Sequence, residues 1–124
     1  MIRGIEHVAI ASPNPEALAN WYVDTLGFVI NYRGTAAFFV KAPDGSMIEI
    51  IPAEGDRGGN TLKTPGLRHL ALTVTDFDAV YASLQAKSVN FIAEPINAKG
   101  NKLVFFTDPE GNYLHLLQRE TPLP

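Results

Sequence analysis

The stretch GIEHVAI, residues 4–10, is written a second time as GLRHLAL at residues 66–72, so that Gly4 answers Gly66 and His7 answers His69, 62 residues on (69 − 7). A second pair repeats farther along: PDGSMIEII, residues 43–51, aligns with PEGNYLHLL, residues 109–117. There Pro43, Gly45 and Glu49 answer Pro109, Gly111 and His115, 66 residues on (115 − 49). The four-residue difference between the offsets places one longer loop in the second copy. All three histidines of the chain fall on these paired positions, with a carboxylate at the fourth. A duplication of this length predicts two copies of one supersecondary unit, and the four paired side chains form a metal-ligand inventory.

Around these anchors the periodicity gives the elements. Gly4–Ala11 is β-branched or apolar on both parities, as in a strand covered on both faces. Ser12-Pro13-Asn14-Pro15 ends it and starts a helix, with Asn14 as N-cap and Pro15 at the first helical position. Leu18, Trp21, Tyr22 and Leu26 mark the apolar stripe and Gly27 the stop, which predicts a helix over 15–26. Strands follow at Phe28–Tyr32, Ala36–Lys41 and Ser46–Ile51, joined by short turns that suit an antiparallel meander. The second copy reads the same way. It has a strand from Gly66 to Val74 and a helix capped by Asp76 with Phe77, Val80, Tyr81 and Leu84 inward. Strands are expected near Val89–Ala93, Lys102–Thr107 and Asn112–Gln118, with Pro95–Gly100 as a longer connection. The reading is α+β: two tandem βαβββ modules in one domain, module one over 1–52 and module two over 66–121, with the polar, glycine-rich 53–65 as linker. The tail from Glu120 to Pro124 is expected to fray.

Side-chain alternation along a strand gives Ile48, Ile50, Leu114 and Leu116 to the helix-covered faces. His7, Glu49, His69 and His115 are left on the opposite faces. Two curved half-sheets closing over that side would make a cup. A lone histidine on a strand is ordinarily a hydrogen-bonded core residue; three histidines and one carboxylate at repeat-equivalent positions are a ligand set. Glu49 among Met47, Ile50 and Ile51 would cost several kcal/mol to bury ionised without a partner, a cost that a cation offsets. Tyr113, Phe39 and Phe105 are candidates to line the cavity. Trp21 and Tyr22 belong to helix packing. Arg57, Lys63, Lys99 and Lys102 are cations that could meet an acidic substrate, though surface solvation accounts for each.

Composition excludes several classes. At 124 residues, 46 % hydrophobic and 19 % charged, the chain is that of a globular protein. Its formal net charge of −3 offers nothing to a phosphate backbone, so no nucleic-acid partner is expected. With no cysteine there is neither a disulfide framework nor a thiolate nucleophile. No run is long and apolar enough for a membrane span, and MIRGIEHVAI lacks the pattern of a secretory leader. A cytoplasmic location is the expectation. Gly58-Gly59 lacks the rest of a phosphate-loop pattern.

Taken together, GIEHVAI, WYVDTLGF, PDGSMIEII, GLRHLAL and TDPEGNYLHLL resemble the vicinal oxygen chelate superfamily of glyoxalase I, bleomycin-resistance proteins, fosfomycin-resistance enzymes and extradiol dioxygenases. The resemblance implies a curved mixed-sheet cup, the glyoxalase-like fold. It also implies one divalent metal ion (Zn, Ni, Co, Mn or Fe) held by His7, Glu49, His69 and His115, a small-molecule substrate with vicinal oxygens, and a homodimer. Family members carry glutamate where this chain has His115, and glyoxalase I shuttles a proton on ligand-position carboxylates; this chain keeps only Glu49. Fosfomycin-resistance members carry threonine where Ala9 stands, and the bleomycin-binding branch mostly lacks the metal set. The activity implied is a metal-dependent glyoxalase-type lyase or isomerase, with Glu49 as its catalytic residue. An Fe(II) or Mn(II) ring-cleaving dioxygenase and a non-catalytic sequestering protein are the alternatives.

Overall fold

Asn14 and Asp76 each bend back to accept a hydrogen bond from the backbone N–H three residues on, at 3.2 Å in both cases, and so begin the two helices of the computed structural model, which describes residues 1–124. The satisfied N–H is one of the four that a helix start leaves open. The chain divides into two compact units, Met1–Arg57 and Gly58–Pro124.

In the first unit, β1 (His7–Ser12) leads into α1 (Pro15–Leu26), followed by β2 (Val29–Arg33), β3 (Phe38–Lys41) and β4 (Met47–Pro52). The sheet order is β1-β4-β3-β2, with β1 parallel to β4 and the other neighbours antiparallel. Gly27 closes α1 in the left-handed region at φ 79°, a conformation that costs glycine little. Leu18, Ala19 and Tyr22 of α1 and Val40, Ile48 and Ile50 of the sheet are all buried. Each large apolar side chain among them contributes about 1.5–3 kcal/mol. Tyr22, fully buried beside Phe28 and Trp21, is core, as the helical stripe predicts.

The second unit repeats the plan. It runs β5 (His69–Thr73), α2 (Phe77–Ala86), β6 (Asn90–Phe91), β7 (Ile96–Ala98), β8 (Asn101–Thr107) and β9 (Tyr113–Gln118). Its sheet order is β5-β9-β8-β6, with β7 also paired to β8 and β5 parallel to β9. Phe77 and Leu84 of α2 and Val104, Phe106, Leu114 and Leu116 of the sheet form its core. The Gln118 side chain adds a cap, accepting from the Phe77 N–H at 2.8 Å. The α+β class and the two mixed sheets are therefore those read from the repeat.

Some details differ from the sequence reading. The stretch 95–100, expected to be an open connection, contains β7. Lys99 and Gly100, at φ 53° and 77°, turn it back onto β8 so that Ala98 faces Asn101, the two-positive-φ geometry of a tight hairpin. The first strand begins at His7 rather than Gly4, because its only ladder neighbour is β4, whose pairing starts at His7–Met47. Finally, β1 is not covered on both sides: Val8, Ile10 and Ser12 face inward, whereas His7, Ala9 and Ala11 are exposed.

Candidate functional site

The ladder register decides which of the marked side chains meet. In β1 and β4, Ala9 is the Cα partner of Glu49 and His7 that of Met47, so His7 and Glu49 sit on one diagonal of the open face. The His7 Nε2 atom lies 3.6 Å from Glu49 Oε1, with the two side chains 35 % and 27 % exposed. In β5 and β9 the same diagonal joins His69 to His115, since Ala71 faces His115 and His69 faces Tyr113. Their rings stand 4.7 Å apart, centroid to centroid. The duplication thus reproduces one geometry twice, with a carboxylate in the first copy and an imidazole in the second. No group of three or more His, Asp or Glu side chains stands together as a metal cage; the four residues come as two pairs, one in each unit.

Each pair has an aromatic wall. Phe39, opposite Glu49 in the ladder, presents its edge to His7 at 5.2 Å. Phe105, opposite His115, packs at 5.5 Å from His69 and 4.8 Å from His115. Phe39 and Phe105 differ by the same 66 residues (105 − 39) as Glu49 and His115, so the repeat itself carried the signal that parity alone left open.

Tautomers follow from the outer hydrogen bonds. The Nδ1 of His7 is 2.9 Å from Glu6 Oε1, and that of His115 is 3.1 Å from the Leu116 carbonyl oxygen. Both partners are acceptors, which suits the tautomer in which Nδ1 donates and Nε2 keeps its lone pair for a ligand. Burial holds the His115 imidazole below its ordinary value. The Leu116 carbonyl opposes that shift, and electrostatic repulsion from the neighbouring His69 and from Arg119 reinforces it. A neutral, lone-pair-bearing imidazole is the form that binds a metal. In donor type and tautomer, the residues fit a divalent ion of the Zn, Ni, Co, Mn or Fe(II) group. Glu6 had no sequence signal, because the repeat places Arg68 at the corresponding position.

The second pair is bordered by part of the stretch read as a linker. Tyr113, the ladder partner of His69, donates through its hydroxyl to the Asn60 carbonyl at 3.2 Å. The Asn60 amide donates to Gly111 O at 3.2 Å, and Arg68 Nη1 holds both Asn60 Oδ1 and Thr61 O at 3.1 Å. Residues 60–64 are therefore a strap tied to the β8–β9 turn, closed internally by Thr61 and Thr64. That turn is rigid in its own right. The buried Asp108 carboxylate accepts from the backbone N–H groups of Glu110 and Asn112, at 2.9 and 3.0 Å, and from the Asn112 amide at 2.7 Å. Among the cations considered for an acidic substrate, Lys102 is paired with Asp78 at 3.4 Å, and Lys99 occupies the hairpin turn.

Comparison with known proteins adds the following. The sequence model of the Glyoxalase/Bleomycin resistance protein/Dioxygenase superfamily matches residues 4–116. The protein YaeR of Escherichia coli (strain K12) is 30% identical over 129 residues, a match that covers 95% of this chain and 98% of that protein. The structure of the glyoxalase family protein from Enterococcus faecalis superposes with a TM-score of 0.78 at 29% identity, covering 93% of this chain and 97% of the other. Oxidase ChaP-H2 superposes with a TM-score of 0.77 at 23% identity over 96% and 95% of the two chains, a likeness of fold. No helix is long and apolar enough to cross a membrane.

Proposed function

The chain belongs to the Glyoxalase/Bleomycin resistance protein/Dioxygenase superfamily, and from that premise we propose that it is a divalent-metal-dependent lyase or isomerase of glyoxalase type acting on a small substrate with vicinal oxygens. The observation that carries the reading is the repeated diagonal: His7 with Glu49 and His69 with His115, each on the open face of a parallel strand pair. Two ligands are too few for a stable catalytic site, which ordinarily takes three or four. The proposal is accordingly that all four residues serve one ion, in a protein working as a homodimer in the cytoplasm.

When bound, the ion supplies a Lewis acid that gathers two adjacent substrate oxygens and acidifies the carbon beside them. Glu49 is the single carboxylate of the set and the ligand-type residue that can move a proton. It takes one from that carbon, whose C–H electron pair becomes a carbon–carbon π bond as the neighbouring carbonyl's π pair moves onto its oxygen. Returning the proton to that neighbouring carbon re-forms a carbonyl at the first, with the hydroxyl proton passing from one oxygen to the other, so nothing is oxidised overall. Glu6 orients His7, while Phe39 and Phe105 wall the pairs and restrict water.

Metal quantification on the wild type beside His115→Glu, together with turnover of a panel of hemithioacetals, epoxides and 2-oxo compounds, tests the reading. The wild type is expected to hold one ion for each set of four ligands and to lose turnover on chelation and in Glu49→Gln. Turnover that survives chelation would sink the proposal. The ligand set of three imidazoles and one carboxylate also favours a second reading, O₂ activation at Fe(II) or Mn(II). Anaerobic purification followed by metal analysis separates the two, since zinc or nickel as the tightly held ion rules the second out.

A further inference from the structure

The open face that carries His69 and His115 continues past them. Its same-face rungs run from His69–Tyr113 through Ala71–His115 to Thr73–Leu117, and the Val74 N–H extends the pairing to the Leu117 carbonyl at 3.0 Å. Beyond the last rung lies an open groove of about 520 Å³, lined by Thr73, Thr75, Leu117, Arg119, Pro122 and Leu123 among others. The C-terminal tail, exposed from Glu120 to Pro124, contributes Pro122 and Leu123 to that lining. Arg119 is exposed and, unlike Arg33, Arg68 and Lys102, has no hydrogen-bonding or ion-pair partner. It stands four residues beyond His115, just past the end of β9 at Gln118, about 13 Å along the backbone. The first copy has nothing like it, because the residue 66 positions earlier is Ala53.

We infer that this groove is a substrate subsite in which Arg119 receives a carboxylate or other small oxyanion at the far end of a substrate whose vicinal oxygens lie at His69 and His115. An arginine fork pairs with such a group through two parallel N–H···O bonds. Leu117, Pro122 and Leu123 give the intervening chain an apolar lining, and the Thr73 and Thr75 hydroxyls stand beside it. The substrate class is thus a small acid with a chelating head, an apolar middle and an anionic end. This inference rests on the metal reading above, and its test keeps the two apart.

The probes are octanohydroxamic acid and suberic acid monohydroxamate, which present the same vicinal-oxygen chelator on chains of equal length and differ by the terminal carboxylate. Binding to the full Zn²⁺-loaded protein is followed by calorimetry. The wild type is expected to prefer the carboxylate probe by about tenfold or more, the factor a charge-assisted hydrogen bond gives. R119Q is expected to lose that preference while binding the neutral probe as before, and R119K to retain part of it. Equal binding of both probes by the wild type, or an unaltered preference in R119Q, overturns the subsite and leaves the metal reading standing. Dimer dissociation in Leu123→Asp, with no preference in the wild type, overturns it in favour of a second copy as the groove's occupant. Failure of both hydroxamates to bind overturns the metal reading and the subsite together.

Discussion

Replacing Glu49 by glutamine keeps the side chain's shape and removes its charge. Zinc held by a full ligand set is worth on the order of 10–16 kcal/mol; spread over four ligands, that is about 3 kcal/mol each. The amide oxygen that Glu49→Gln introduces would be a weaker ligand than the carboxylate, so a rise of about a hundredfold in Kd is expected, at 1.4 kcal/mol per decade. The same change should leave the metal-free protein almost as stable as before. Glu49 is part-exposed and 3.6 Å from His7 Nε2, too open to water and too far for a strong hydrogen bond. A competition titration of Zn²⁺ against a chromophoric chelator reads the affinity, and a thermal melt of the metal-free protein reads the fold. Glu6→Gln provides the graded control. It weakens the acceptor on His7 Nδ1, 2.9 Å away, and outer partners of this kind are worth about tenfold or more in affinity. If Glu49→Gln binds Zn²⁺ as tightly as the wild type, the carboxylate is not a ligand and the proton-transfer role assigned to it falls as well.

Three further outcomes follow from the second unit. Asp108→Ala removes a buried acceptor from two backbone N–H groups and an amide; a loss of roughly 3 kcal/mol in urea unfolding is expected, and a loss under about 1 kcal/mol would show that the turn holds without it. Tyr113→Phe frees the Asn60 carbonyl and should speed amide exchange at 60–64 while costing about 1 kcal/mol or less overall; unchanged exchange there would mean that Arg68 alone ties the strap. For pH, the His115 imidazole lies below its ordinary 6.5 in the folded protein because it is buried, so the unfolded chain takes up the proton first as pH falls. Stability of the metal-free protein is therefore complete above about 6.5 and declines as pH drops through that value, levelling once the folded form is protonated too. Melts between pH 8 and 5 should show that slope reduced in His115→Gln; an equal or steeper slope in the variant would refute the assignment.

The fold was legible because its decisive features are local and doubled. Asn14 and Asp76, the two apolar helix stripes and the PDG and PEG turns each had a twin to confirm it. The same-face placement of the four ligand-type residues followed from strand parity, which a ladder must obey. What parity does not contain is register: that His7 lies diagonal to Glu49, and His69 to His115, depends on which residues become Cα partners across β1–β4 and β5–β9. The hairpin at Lys99-Gly100 leaves little trace in the sequence, because Lys-Gly lacks the usual Asn or Asp of a tight turn and Ile96–Ala98 is exposed along its length. The strap at 60–64 has the composition of a linker, because its order comes from side chains outside it, Tyr113 and Arg68, rather than from any periodicity of its own. The seven-residue run of β8, Asn101–Thr107, by contrast, carries enough β-branched and aromatic residues to be seen alone.

The difference between Glu49 and His115 follows from what surrounds each. Position 115 is 7 % exposed, between Leu114 and Leu116 and against the Phe105 ring. A carboxylate there would lose most of its hydration and cost several kcal/mol in any state without a cation. A neutral imidazole whose Nδ1–H reaches the Leu116 carbonyl carries no such penalty. The corresponding place in the first unit is more open, with the Glu49 side chain 27 % exposed, and there a charge can persist. The duplicated scaffold therefore keeps its one carboxylate where water still reaches and an imidazole where it scarcely does. In the proposed reaction this divides the labour between the copies. The first copy holds the carboxylate that can carry a proton, and the second places an imidazole at the equivalent position. On the proposed reading, a reaction that needed two proton carriers would require a carboxylate at 115 as well, and with Glu49 alone the same carboxylate takes and returns the proton.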